Sequence, residues 1–154
     1  MQATVEVAAY VVCALNAAVA IYGGWVWRQV APSEPQARRF WLALRAGQAA
    51  ALAFAVFIGV LALAGHKPKE SLFYLYALLP LAVAFIAEQL RITSAQTILD
   101  QRALPDAQAV GALPKEQQLE VVAEIVRREV GVMALSALVV AFLLLRAAST
   151  AHGL

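Results

Sequence analysis

Four long apolar runs constrain this chain more than any other feature of its sequence. They cover about residues 5–27, 40–64, 71–90 and 130–146. Each run is close to the ~20 residues that an α-helix needs to cross ~30 Å of hydrocarbon. The runs occupy most of the 154 residues, which leaves too little chain for a soluble domain with its own core. The sequence predicts an all-α integral membrane protein, a four-helix bundle whose antiparallel helices run up and down.

The charge content agrees with a membrane environment. Only 14% of the residues are charged and 62% are hydrophobic, so the charged share is about half that of an ordinary soluble domain. The net charge is +2, and the basic residues lie beside the runs rather than in one stripe, which argues against a nucleic-acid partner. We expect the lipid bilayer to be the surroundings of this chain.

The placement of lysine and arginine predicts the orientation. Nine of the twelve basic residues belong to the first and third connections or their flanks, and only Lys67, Lys69 and Arg146 lie on the other side. Basic residues are concentrated on the cytoplasmic side of membrane proteins. Both termini should therefore lie outside, and the alanine-rich, lysine-poor composition favours a bacterial inner membrane. The three tryptophans, Trp25, Trp27 and Trp41, fall at the predicted cytoplasmic boundary.

Local patterns predict where two of the connections end. Ser33 can cap a helix that begins near Glu34, with Gln36 three residues on reaching back to the backbone N–H of the cap. In the second connection, Gly65 is suited to end one helix and Pro68 to start the next.

The third connection, about residues 91–129, is predicted to form a cytoplasmic helical hairpin. The helical pattern of the third run continues to about Arg102, and Pro114 is a natural first residue for a helix that carries Leu119 and Val122 on one face. An in-plane interfacial helix is the alternative. Acidic residues outnumber basic ones in residues 115–129, which anionic lipid would repel, so we favour the hairpin.

Small residues recur every four positions in the second run. Together they form a small-residue seam that comprises Ala43, Gly47, Ala51, Ala55 and Gly59. Such a seam lets another helix backbone approach closely in lipid. Packing inside one chain is the favoured use, and a dimer interface is the alternative.

Four charged residues are predicted to share a depth near the cytoplasmic boundary. They are Arg45, Glu88, Arg91 and Glu129, with Gln48 nearby. Glu88 and Arg91 can pair along one helix, and Arg45 and Glu129 would supply a second pair. One interpretation is a polar vestibule for an anion, a headgroup or a proton. The other, which we favour, is an ion-pair belt that fixes helix rotation.

Few polar groups lie deeper in the runs. Asn16 is expected to form a hydrogen bond across a helix interface, Gln48 and Tyr76 are the other intramembrane polar residues of interest, and Pro80 predicts a kink. No charged residue reaches the middle of a run, which disfavours a pump that works through a buried carboxylate.

The sequence offers no motif for catalysis, metal binding or a cofactor, so we predict none. A haem or metal redox module would have to use His66 and His152, the two histidines, and both are predicted to lie on the outer side. The favoured function is non-enzymatic: association of membrane helices, with a second copy or a partner subunit, through the seam and the hairpin. An oligomeric channel or facilitator with Arg45, Glu88 and Arg91 at its cytoplasmic mouth is the first alternative, and the redox module is the second.

Overall fold

The computed structural model describes residues 1–152, and this part of the chain forms five α-helices. They are α1 (Gln2–Trp27), α2 (Glu34–Leu63), α3 (Leu72–Gln101), the short α4 (Ala107–Gly111) and α5 (Lys115–Thr150). The predicted all-α class is confirmed. All but α4 are long and apolar enough to cross a membrane.

Side chains and backbone geometry account for several helix ends. The Gln36 side chain accepts a hydrogen bond from the Ser33 backbone N–H at 2.9 Å, as predicted, and α2 begins at Glu34. Gly65 follows α2 with a φ of 86°, a conformation that glycine adopts without the strain of a Cβ. The expectation for Pro68 is wrong, because α3 begins only at Leu72, after Ser71.

Neighbouring helices run in opposite directions. Along α1 and α5, the Cys13 thiol donates to the Ala141 carbonyl at 3.2 Å, and Arg127 Nε donates to the Trp27 carbonyl at 3.0 Å. At the other end, the Lys69 backbone N–H donates to the His152 carbonyl at 3.0 Å, which ties the start of α3 to the end of α5. Helix α5 packs mainly against α1 and α3, whereas α2 contacts α1 and α3 and touches α5 only slightly.

Buried apolar side chains form two clusters at different heights. One contains Phe54, Phe73 and Leu144, and the other contains Phe40 and Met133. Asn16 is 2% exposed and lies between the clusters along α1, since Val12 belongs to the first and Val19 to the second. Pro80 is buried within α3.

Helices α3 and α5 meet beyond the apolar runs. Arg102 Nη2 lies 2.8 Å from Glu124 Oε2 and 3.2 Å from Glu120 Oε1, and its hydrogen bonds to these carboxylates raise the pKa of the guanidinium. Ile98 and Val121 are buried in this region. The predicted apolar face of α5 is wrong here, because Leu119 and Val122 are 62% and 50% exposed.

Two adjacent glycines in α1 differ completely in their surroundings. A Cβ at Gly23 would overlap the Phe40 ring and lie 2.7 Å from the Ala134 Cβ, whereas a Cβ at Gly24 would have no neighbour within 4 Å. Gly23 is therefore the point of close approach among α1, α2 and α5.

We expect Gly23→Ala to lower the free energy of unfolding by ~1–3 kcal/mol, because overpacking displaces neighbouring side chains. Gly24→Ala is the matched control and should leave stability unchanged or slightly higher, since alanine favours helix. Thermal unfolding in mild detergent, followed by circular dichroism, measures both. Equal melting temperatures for the two variants would contradict the assigned packing of α1.

Candidate functional site

The charged cluster comprises Arg45, Gln48, Glu88 and Arg91, and it lies where α2 and α3 face each other. Arg45 and Gln48 are three residues apart on α2, and Glu88 and Arg91 are three residues apart on α3. Residues at this spacing lie on one helix face, so each helix presents two polar side chains to the other. The structure brings all four together.

Glu88 is the centre of the cluster. Its Oε1 lies 2.6 Å from Arg45 Nη1 and accepts a hydrogen bond from Gln48 Nε2 at 3.3 Å, and its Oε2 lies 3.4 Å from Arg91 Nε. Arg45 Nη1 also donates to Gln48 Oε1 at 2.6 Å. The Glu88 side chain is 24% exposed and that of Arg45 is 52% exposed, so the pair is partly open to the surroundings.

Arg91 is held by an aromatic ring as well as by charge. Its guanidinium carbon lies 5.0 Å from the centroid of the Trp41 ring, a geometry in which the ring face attracts a cation. Arg91 Nε is buried without a hydrogen-bond partner among residues 1–152. Its attraction to Glu88 is therefore one of charge and proximity rather than a directed hydrogen bond.

Glu129 lies at the edge of the cluster on α5. It is half-buried, and its charge interacts with those of Arg91 and Glu88. In the described part of the chain it forms no ion pair within 4 Å. The expected pairing of Arg45 with Glu129 is thus replaced by pairing of Arg45 with Glu88.

The two deeper polar residues do not join this cluster. Asn16 Nδ2 donates to the Val12 carbonyl at 2.9 Å and to the Gly47 carbonyl of α2 at 3.4 Å. The Tyr76 ring lies 5.6 Å from the guanidinium carbon of Arg146. Each of them instead connects its helix to one neighbour, Asn16 to α2 and Tyr76 to α5.

The small-residue seam is split between two surfaces. Gly47, Ala51 and Ala55 are buried within the chain and Ala43 is half-buried, whereas Gly59 is exposed. A Cβ at Gly47 would lie 3.0 Å from Asn16 Oδ1, but a Cβ at Gly59 would meet nothing within 4 Å. The buried part of the seam therefore packs α2 inside the molecule.

Spacing in the sequence did not identify the small residues that stay exposed. We define the outer α2 face as Ala46, Ala49 and Ala53, which are all exposed and lie within ~60° of one another around the helix. Gly59 is also exposed, but it lies ~120° round α2 from Ala53. In an alanine-rich helix every face carries small residues, so only the positions of α1 and α3 show which of them remain open. Ala49 and Ala53 are four residues apart, as are the members of the small-residue seam, and this spacing was the feature of the sequence that could have indicated a second small-residue face.

The chemistry of the charged cluster is that of an ion-pair network. One carboxylate of α3 lies against the guanidinium groups of Arg45 on α2 and Arg91 on α3. That this network fixes helix rotation as an ion-pair belt stays a prediction. In residues 1–152, no group of three or more His, Cys, Asp or Glu side chains is arranged to hold a metal ion. His66 is exposed in the second connection, and the Lys69–His152 hydrogen bond places the second histidine at the same end.

Comparisons of the chain with protein-family models, with curated proteins and with solved structures find no match.

We expect Glu88→Ala to lower the free energy of unfolding by ~1–3 kcal/mol, because Arg45 loses a charged hydrogen-bond acceptor and Arg91 loses its opposite charge. Arg45→Ala removes the more exposed partner and should cost up to ~1 kcal/mol. The double variant should lose less than the sum, since both changes remove the same contact. Denaturation in detergent measures the cycle, and Arg39→Ala, an exposed α2 arginine outside the cluster, is the control. Strict additivity of the two losses would exclude the Arg45–Glu88 contact.

Proposed function

We propose that this chain is a multi-pass protein of a bacterial inner membrane with both termini outside. In this arrangement α1, α2, α3 and α5 cross the bilayer as an up-and-down bundle. The ends of α3 and α5 stand in the cytoplasm as a helical hairpin. The protein acts without catalysis, by association of its helices with a second copy or with a partner subunit.

Exposed apolar side chains support the membrane placement. Leu63, Ile21, Leu42 and Phe85 are 91%, 76%, 67% and 67% exposed, and they lie on three different helices. Large apolar residues spread over the outside of a protein disfavour water as its solvent and favour lipid. The end of the molecule that carries Trp27, Trp41 and the arginine-rich connections is then the cytoplasmic end.

The membrane orientation predicts which positions can be labelled from outside. In a Cys13→Ala background, which removes the free cysteine, Lys67→Cys lies in the second connection and Gln108→Cys in α4, and both positions are exposed. A membrane-impermeant maleimide should label Lys67→Cys in spheroplasts and Gln108→Cys only after lysis. The opposite pattern would reverse the orientation, and labelling of both before lysis would refute membrane crossing by α3.

The outer α2 face is the observation that carries the proposal of association. Its three alanines are exposed and lie on one side of α2. Small residues permit the close backbone approach on which helix association in lipid depends. Helix α2 also has fewer contacts with the rest of the chain than α5 has, so it offers more uncovered surface to a partner.

The other side of α2 is buried against the rest of the chain. Gly47, Ala51 and Ala55 are buried, and Gly47 lies against Asn16 of α1, so substitutions there would disturb folding before they disturbed association. Ala49 and Ala53 are the positions that separate these two effects.

We expect the double variant Ala49→Leu/Ala53→Leu to weaken self-association, because two larger side chains prevent close approach at the outer α2 face. Native mass spectrometry in mild detergent over a concentration series measures the dimer dissociation constant, which should rise at least about tenfold, the change given by ~1.4 kcal/mol. Gly59→Leu, at an open position of α2 that lies ~120° round the helix from Ala53, is the matched control and should associate as the unaltered chain does. An unaltered chain that stays monomeric at every concentration, or a dimer fraction indifferent to the double variant, would overturn self-association through this face.

A further inference from the structure

An apolar groove runs between α1 and α5 on the outside of the molecule. Its volume is about 620 Å³, and it is lined by Ala20 and Gly24 of α1 and by Leu135 and Leu138 of α5, with Trp27 and Arg128 at one end. No residue of α2 lines it, so it is separate from the outer α2 face. It is also separate from the charged cluster between α2 and α3.

Glycines create the groove in two ways. Gly131 brings α5 close to α1, since a Cβ there would lie 2.7 Å from Trp27 Cδ1, and Gly23 does the same beside Ala134. Gly24 lines the groove, and a Cβ there would meet nothing within 4 Å. The helices are thus held at close distance while a strip without side-chain bulk stays open next to the contact.

The end of the groove carries uncompensated positive charge. Arg128 lines it, and Arg28 follows Trp27 in sequence. Arg127 donates a hydrogen bond to the Trp27 carbonyl, but it lines a neighbouring pocket together with Glu120 and Glu124. None of these three arginines forms an ion pair within residues 1–152. The carboxylates of the same region do not pair with them either: Glu124 lies 2.8 Å from Arg102, and Glu129 forms no ion pair within residues 1–152.

The groove also has the right position along the helices. Seven residues separate Trp27 from Ala20, which corresponds to ~10 Å of helix, and the interval from Arg128 to Leu138 corresponds to ~15 Å. It therefore starts at the level of the boundary tryptophans and continues into the apolar run. A cationic end at headgroup level and an apolar strip below it match the two parts of a phospholipid.

We propose that this groove binds one anionic phospholipid, with an acyl chain along Ala20 and Gly24 and the phosphate against Arg128. The proposal rests on the membrane insertion proposed above but not on self-association. The lipid would complete the packing between α1 and α5 on the side that faces the bilayer, and Trp27 would border both its headgroup and the start of its chain.

Native mass spectrometry of the detergent-purified, delipidated full chain tests the proposal, with phosphatidylglycerol and phosphatidylethanolamine as probes. The unaltered chain should retain one phosphatidylglycerol at concentrations where phosphatidylethanolamine is lost. Arg128→Gln should weaken phosphatidylglycerol binding about fivefold, the effect of ~1 kcal/mol for one basic residue near an anionic headgroup, and should bring it towards that of phosphatidylethanolamine. Gly24→Leu should remove binding of both lipids by filling the strip.

Two controls separate the possible failures. Gly59→Leu and Arg39→Gln make the same kinds of change away from the groove and should leave lipid binding unaltered. Arg128→Gln keeps the test decisive if Gly24→Leu does not fold. Equal binding of the two lipids by the unaltered chain, or binding that Arg128→Gln leaves unchanged, would overturn the proposal. The same spectra report dimers. An unaltered chain that is monomeric but retains phosphatidylglycerol would count against self-association alone.

Discussion

Large apolar side chains cover the outward surfaces of the four long helices as well as the contacts between them, and the rest of the structure depends on this distribution. When these helices pack together, each of them still exposes large apolar side chains. The hydrophobic effect in water therefore does not account for this arrangement. In the lipid environment that we propose, close packing and a few polar contacts must supply the association instead. Helices are also the form in which such segments satisfy their backbone hydrogen bonds internally.

Close packing in this molecule is concentrated at three glycines. Gly47 admits Asn16, Gly131 admits the Trp27 ring, and Gly23 admits Phe40. In each case the absent side chain is replaced by a larger group from another helix, so the glycine sets a distance between two backbones. Gly24 has no such neighbour, and the open strip on which it lies is the surface for which we propose a bound lipid.

Apolar patterning and capping residues predicted the all-helical class, the start of α2 at Glu34 and the extension of α3 to Gln101, because these features depend on local sequence and on total apolar length. The faces of the helices were predicted less well. Each residue turns a helix by about 100°, so a choice between Leu119 and Val121, or between Gly47 and Gly59, depends on where the neighbouring helix lies. Ion-pair partners fail for the same reason: Arg45 was paired with Glu129 from their similar depth, whereas its rotation on α2 directs it to Glu88.

The distribution of carboxylates connects the orientation to the lipid groove. Glu88 forms ion pairs with Arg45 and Arg91, and Glu120 and Glu124 form ion pairs with Arg102. These carboxylates are therefore paired with arginines of α2 and α3. The arginines at the junction of α1 and α5 receive none of them. Positive charge left at one end of the helices favours the cytoplasmic side of a membrane, and the same unpaired charge borders the groove between α1 and α5. A phosphate bound there would compensate arginines for which this chain supplies no carboxylate, and it would do so without covering the outer α2 face.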